Sequence, residues 1–190
     1  MQTPIRHPAI LAVSLTPVPI LEDGAQWVSS ALACLDQAAS QPFDMVLIRG
    51  TVARGAARAD LVELVQCLRH HPACQAVPVL AVLDDWHRDL IADLEKAGLN
   101  WVDVRPGQEA LVPSELFDLA TRYPVRFDIR RLLSRLCPYL NASVFEGEVE
   151  VTTCGACGNR LVLGGQRLRL VCRTPGHRHC GYFKEARQQS

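Results

Sequence analysis

The chain has 190 residues, is 48% hydrophobic, and balances 20 basic against 20 acidic side chains to a formal net charge of zero. That size and composition predict a soluble protein with one main core and room for a small module. No apolar run is long enough to span a bilayer, so no membrane-spanning helix is expected.

The neutral total hides an asymmetry. Residues 1–112 hold 8 basic and 13 acidic residues, residues 113–150 hold 5 and 6, and residues 151–190 hold 7 and 1. An acidic body is therefore joined to a basic tail. Of the basic residues 18 are arginine, the cation better suited to forked contacts with carboxylate or phosphate.

Arg6 precedes the apolar run Ala9–Leu15, which faintly resembles an export leader. Pro17 and Pro19 follow without a small-residue cleavage site, so the run reads as a buried first strand. The expected compartment is the cytoplasm. Thiols stay reduced there, and clustered cysteines point to metal rather than to disulfides.

Four short apolar runs read as strands covered on both faces: Ala9–Leu15, Phe43–Ile48, Val77–Leu83 and Leu99–Val104. Helical spacing lies between them. Trp27, Val28, Ala31, Leu32 and Leu35 suggest one helix within Gly24–Ser40. Asp60 is the expected cap of a second, with Leu61, Val62, Leu64, Val65 and Leu68 on one face. Asp84 or Asp85 is the expected cap of a third, with Leu90, Ile91 and Leu94 inward and Gly98 as its stop. Alternation of this kind predicts an α/β fold with a doubly wound parallel sheet.

These segments resemble the receiver domain of bacterial response regulators over roughly the first 110 residues, within an expected α/β domain of residues 1–122. "FDMVLIRG" is similar to that family's third strand, and "LRHHPACQAVPVLAVLDD" to its third helix, loop and fourth strand. "LEKAGLNWVDVRP" is similar to the end of the fourth helix, the fifth strand and the closing loop. The span from the first strand to Phe43 is shorter than the family's, so a strand–helix unit there is shortened or missing.

The family's chemistry does not transfer. Where its first strand ends in paired acidic residues for magnesium, this chain has Ser14 and Leu15. Arg49 stands at the phospho-accepting aspartate, Leu83 at the hydroxyl residue and Arg105 at the lysine. A magnesium site needs carboxylate oxygens, and Arg49 puts a fixed cation among them. The resemblance thus implies a pseudo-receiver. Arg49 and Arg105 are a candidate anion pocket at the carboxyl ends of strands; the alternative is that they pair with Asp84, Asp85 or Asp103. Cys34, Cys67 and Cys74 read as small packing side chains and His70-His71 as an exposed helix end.

Residues 123–143 form the expected connector. Ser114 begins the last helix of the body and Pro124 ends it. Phe127, Ile129, Leu132, Leu133 and Leu136 then suggest one amphipathic helix, and the polar stretch Asn141–Glu150 a boundary.

Residues 144–190 hold the chemistry. Cys154-x2-Cys157 is followed by Cys172-x7-Cys180, with Gly155, Gly158 and Gly181 beside the sulfurs. A Cys-x-x-Cys turn points two thiolates at one ion, and a following glycine frees backbone N–H groups to face sulfur. "RLVLGGQRLRLV" reads as two strands around a Gly164-Gly165 turn. Knuckle, basic hairpin, Cys172, Pro175, Cys180 and Tyr182-Phe183 resemble, in that order, the four-cysteine zinc ribbons of bacterial type I topoisomerases. Zinc is the expected metal, on Cys154, Cys157, Cys172 and Cys180, with His177 and His179 as alternate ligands. A second possibility folds Cys137 back into the module, where four of five cysteines hold an iron–sulfur cluster.

Three functions follow as expectations. The first is a non-catalytic signalling adaptor that binds a protein partner. The second is a nucleic-acid regulator in which Arg160, Arg167, Arg169, Arg173 and Arg178 meet phosphates and Tyr182 or Phe183 stacks on a base. The third is an iron–sulfur redox sensor. No nucleophile with a paired base and no phosphate loop is identifiable, so no enzyme activity is expected.

Overall fold

The computed structural model describes residues 8–15, 24–53, 56–106, 112–145 and 149–188. Arg6, Pro17 and Pro19 lie outside them. The body is a five-stranded parallel sheet in the order β2-β1-β3-β4-β5. Its strands are β1 (Ile10–Ser14), β2 (Gln26–Val28), β3 (Met45–Gly50), β4 (Val79–Leu83) and β5 (Trp101–Val104). That order is the flavodoxin-like, receiver-like winding, with its switch point between β1 and β3. Four of the strands coincide with the apolar runs of the sequence. β3 and β4 are buried at every position, as central parallel strands must be.

Helices cover the two faces unequally. On one face lie α1 (Ala31–Ser40), α2 (Ala56–His70), α3 (Arg88–Lys96) and α6 (Ile129–Arg135), packed on Val13, Val46, Ile48, Ala81 and Leu83. On the other, α4 (Pro113–Arg122) and the single turn α5 (Pro124–Phe127) pack on Ala12, Met45, Leu47, Leu80 and Val82. Each large aliphatic side chain removed from water in these clusters contributes roughly 1.5–3 kcal/mol. Most of the connection between β1 and β2, where the shortened or missing unit was expected, lies outside the described residues.

Several local expectations are corrected. The helix expected within Gly24–Ser40 is a strand and a helix: Trp27 and Val28 belong to β2, and Ser30 caps α1 by accepting from the Ala33 N–H at 3.2 Å. Leu32, expected inward, is 78% exposed, while Cys34 and Ala38 face the core. Helix α2 begins at Ala56, so Asp60 lies inside it rather than capping it. The cap of α3 is His87, whose Nδ1 accepts from the Leu90 N–H at 3.0 Å; Asp84 and Asp85 have other partners. Pro124 starts α5 instead of only ending α4, and Asp128 breaks the expected amphipathic helix by capping α6 through the Arg131 N–H at 2.7 Å.

The C-terminal lobe begins earlier than expected. β6 (Leu140–Phe145) and β7 (Val149–Cys154) are an antiparallel pair, with the two-residue β8 (Leu161–Val162) beside β7. β6 therefore runs across the boundary expected at 143/144, and the described residues of the expected boundary stretch, 141–145 and 149–150, are strand rather than linker. The hairpin expected around Gly164-Gly165 is replaced. After β8 the chain turns helical, first α7 (Gly165–Arg167), then a wide π-type turn at Leu168–Cys172. Leu168 and Cys172, four apart, are the buried pair of that turn, so helical spacing outcompetes strand alternation. A 3-10 turn at Pro175–His179 leads into α8 (Gly181–Gln188).

Candidate functional site

Two sites gather the residues singled out in the sequence. The first is the carboxyl edge of the sheet. Register aligns Ser14, Arg49, Val82 and Asp103 in one row across β1, β3, β4 and β5. Arg49 is only 8% exposed. Burial lowers its pKa; Asp84 opposes that effect and Arg105 adds to it, which places the three charges near one another. Arg105 Nε donates to Asp103 Oδ2 at 2.9 Å. The Asp84 carboxylate accepts from Thr51 Oγ1 at 2.7 Å and from the Val52 N–H at 2.8 Å. The edge where a receiver gathers acidic oxygens thus holds a buried arginine beside a carboxylate fixed by hydrogen bonds. The two arginines of the candidate anion pocket are near each other, and each has an aspartate close by.

The second site is the cysteine lobe. Cys137, Cys154 and Cys172 are buried, Cys157 and Cys180 partly so, and all five pack in one cluster with Leu140, Leu163, Leu168 and Phe183. Backbone pairing gathers them. The Cys137 N–H donates to the Cys172 carbonyl at 2.8 Å, and β6–β7 register sets Leu140 opposite Cys154. Gly155 N–H donates to the Tyr139 carbonyl at 2.7 Å. A Cβ on Gly155 would stand 2.6 Å from Asn141 Nδ2 and 3.3 Å from the Tyr139 carbonyl oxygen, so a larger residue would displace the Asn141 amide. Gly158 at φ +61° and Asn159 at φ +60° take the left-handed conformation that ends the Cys154–Cys157 knuckle.

The thiols differ in their surroundings. Burial, with Cys137 nearby, pushes Cys172 up to about 11. Burial likewise raises Cys137, against a hydrogen bond from the Tyr139 backbone. Cys157 rises through burial and its neighbour Cys154. Burial acts upward on Cys180 too, but the Phe183 and Tyr182 N–H groups and Arg167 outweigh it, and its thiol is lowered. Arg167 Nη2 donates to Cys180 Sγ at 3.3 Å.

An all-sulfur donor set suits zinc or an iron–sulfur cluster. Among the described residues, no three or more His, Cys, Asp or Glu side chains are already grouped as an ion would require. The chemistry of the donors fits a soft metal, and binding needs the thiols to close around it. The two alternate histidines differ in their surroundings. His177 is buried, donates Nδ1–H to the Thr174 carbonyl at 2.7 Å and meets Phe183 edge-on at 5.2 Å; His179 is exposed.

The nucleic-acid surface expected from the tail is reduced. Arg173 lies against the body, where Nη1 donates to Asp85 at 3.1 Å and Nη2 to the Trp86 carbonyl at 3.2 Å. Arg167 lies over the Tyr182 ring at 5.2 Å, and Phe183 is buried against Tyr139, so neither Arg173 nor Phe183 is presented to a polymer.

A contact set that sequence reasoning missed joins the lobes. Glu150 on β7 accepts from His87 Nε2 at 2.7 Å and from Arg58 Nη2 at 3.1 Å. The Ala142 N–H donates to Asp89 at 3.2 Å. The acidic body and basic tail were the available signal, although Glu150 reverses their signs at one point.

No known protein family matches the chain, and no curated protein does. It is similar to several solved structures. The chemotaxis response regulator CheY4 of Vibrio cholerae is 14% identical, with TM-score 0.45, covering 62% of this chain and 98% of that one. A response regulator protein from Burkholderia multivorans is 16% identical, with TM-score 0.41, covering 62% and 95%. The RcsB response regulator of Salmonella typhimurium is 9% identical, with TM-score 0.44, covering 69% of each chain.

Proposed function

We propose that this chain is a non-catalytic signalling adaptor: a receiver-like body that takes no phosphate, carrying a metal-bound cysteine lobe that presents a surface to a protein partner. The observation that carries the reading is Arg49, buried at the end of β3 beside Asp84. A guanidinium there cannot accept a phosphoryl group, and its charge opposes a divalent cation. The lobe grips the same end of the molecule through Asp85 and His87, so the loop after β4 is held from outside. A signal entering this protein would then come by partner binding rather than by covalent modification.

In the lobe, Cys154, Cys157, Cys172 and Cys180 would hold zinc, which supplies a cross-link among β7, the π-type turn and α8. The lobe's own apolar cluster is small, which favours such a link. Cys180 is held by Arg167 and by the first N–H groups of α8. The test uses acetyl phosphate and magnesium, with intact mass as the readout. The reading expects no phosphate adduct, and a stoichiometric acid-labile adduct would overturn it.

A second reading has its own observation. Cys137, followed by Pro138, lies inside the thiol cluster with its N–H on the Cys172 carbonyl. Five thiols exceed what one zinc needs, and an iron–sulfur sensor would use Cys137 as a ligand. Protein purified without air would then be coloured and contain acid-labile sulfide.

A further inference from the structure

Where α6 and the start of α3 meet the cysteine lobe, a groove of about 910 Å³ opens. Its apolar wall is Leu133, Leu136, Pro138, Tyr139 and Phe183, with Tyr139 and Phe183 packed at 68° and 5.8 Å between ring centres. Four cations converge on it: Arg88 from α3, Arg178 from the turn before α8, and Lys184 and Arg187 from α8.

Elsewhere Arg58, Arg105, Arg130 and Arg173 meet carboxylates, while Arg69 donates to backbone carbonyls and Arg167 to a thiol. Among the described residues none of the four groove cations forms an ion pair, and no Asp or Glu lines the groove. Arg88 Nε is out of solvent and has no hydrogen-bond partner. Four like charges around one concavity repel each other, and an unpaired buried donor is costly. A bound anion would relieve both.

The size and lining narrow the anion. The volume is that of a small-molecule site, and such sites favour junctions between lobes. A purely inorganic anion would leave the aromatic wall unused.

We propose that this groove binds a nucleoside phosphate, its phosphates among Arg88, Arg178, Lys184 and Arg187 and its base against the half-buried Tyr139 ring. Occupancy would tie α3 and α6 of the body to α8 of the lobe. The site uses none of the thiols and none of the sheet-edge residues, so it stands apart from the metal and phosphotransfer readings.

Calorimetric titration of the full chain with ADP, adenosine, tripolyphosphate and a glutamate-rich peptide tests this. ADP should bind, weaken as salt rises, and bind at least tenfold tighter than adenosine or tripolyphosphate. The exposed double substitution Lys184→Glu with Arg187→Glu should weaken ADP about tenfold or more, since each charged contact removed is worth roughly a factor of ten. Arg88→Ala should do the same with the far-ultraviolet spectrum unchanged. No ADP binding, equal binding of adenosine, an unaltered Kd in the Lys184/Arg187 variant, or full competition by the peptide would overturn the assignment.

Discussion

Asp84 and Asp85, adjacent in sequence, serve different lobes: Asp84 fixes Thr51 and Val52 within the body, whereas Asp85 accepts from Arg173 of the C-terminal lobe at 3.1 Å. The loop after β4 is therefore held on both sides. The row containing Arg49 and the cysteine lobe are connected through two consecutive residues.

Arg173→Ala should loosen that connection. The ion pair is half-exposed at Asp85, so its own worth is small, and with the Trp86 carbonyl the loss should be about 1 kcal/mol. Hydrogen exchange should accelerate at the loop holding Asp85 and in the turn Leu168–Cys172 while β3 and β4 stay protected. Unchanged exchange in the loop would show that the lobes are held by other contacts.

Acid should weaken the second clamp. Burial pushes the Glu150 carboxyl up, but hydrogen bonds from His87 and Arg58, together with the Arg58 charge, outweigh it, holding it below its ordinary 4.5. A depressed carboxylate contributes stability that is complete above its unfolded value and disappears as pH falls through the folded one. The contribution is thus full at pH 7 and lost below about pH 4.5. Glu150→Gln should cost about 1–3 kcal/mol at neutral pH and flatten the acid side of the stability curve. Denaturant titrations across pH 3–7 read both effects.

The sheet was the most legible part of the sequence. β4 is a continuous apolar run, and β3 is one as far as Ile48, because both faces are covered; their length, short of a helix, favours strand. β2 was not legible: Gln26–Val28 is three residues long, and Trp27 and Val28 fall in helical register with Ala31 and Leu35. The lobe was legible as a sulfur cluster and not as a ribbon. Leu168, Val171 and Cys172 carry i, i+3, i+4 spacing, but the Gly164-Gly165 pair between apolar residues suggests a hairpin more loudly. The inclusion of Cys137 was open in the sequence, because only tertiary pairing to Cys172 decides it. The groove was invisible for the same reason, since Arg88 lies ninety residues before Arg178.

Gly50→Ala should destabilise the body. A Cβ there would stand 2.5 Å from Leu61 Cδ2, where α2 packs on the end of β3. Overpacking of this kind costs about 1–3 kcal/mol, and because Leu61 is fully buried it has little room to retreat. Thermal unfolding of the variant checks the sign and size.

Thiol reactivity in the body should be sharply selective. Cys34 is buried, and burial, with Cys74 nearby, pushes it to about 12; Cys74 is buried and raised too, whereas Cys67 is exposed. Thiolate is the reactive form. Alkylation of native protein at neutral pH, mapped by peptide mass, should label Cys67 while sparing Cys34 and Cys74. Equal labelling of Cys34 would contradict the packing of α1 against α2.

The most direct measurement is the metal content per chain of protein purified without chelator or air, compared with Cys154→Ser and Cys137→Ser. The account expects stoichiometric zinc that is lost, together with amide protection in β7 and α8, in Cys154→Ser. Cys137→Ser should retain it. A wild-type chain free of bound metal, yet fully protected from exchange throughout β7 and α8, would contradict it.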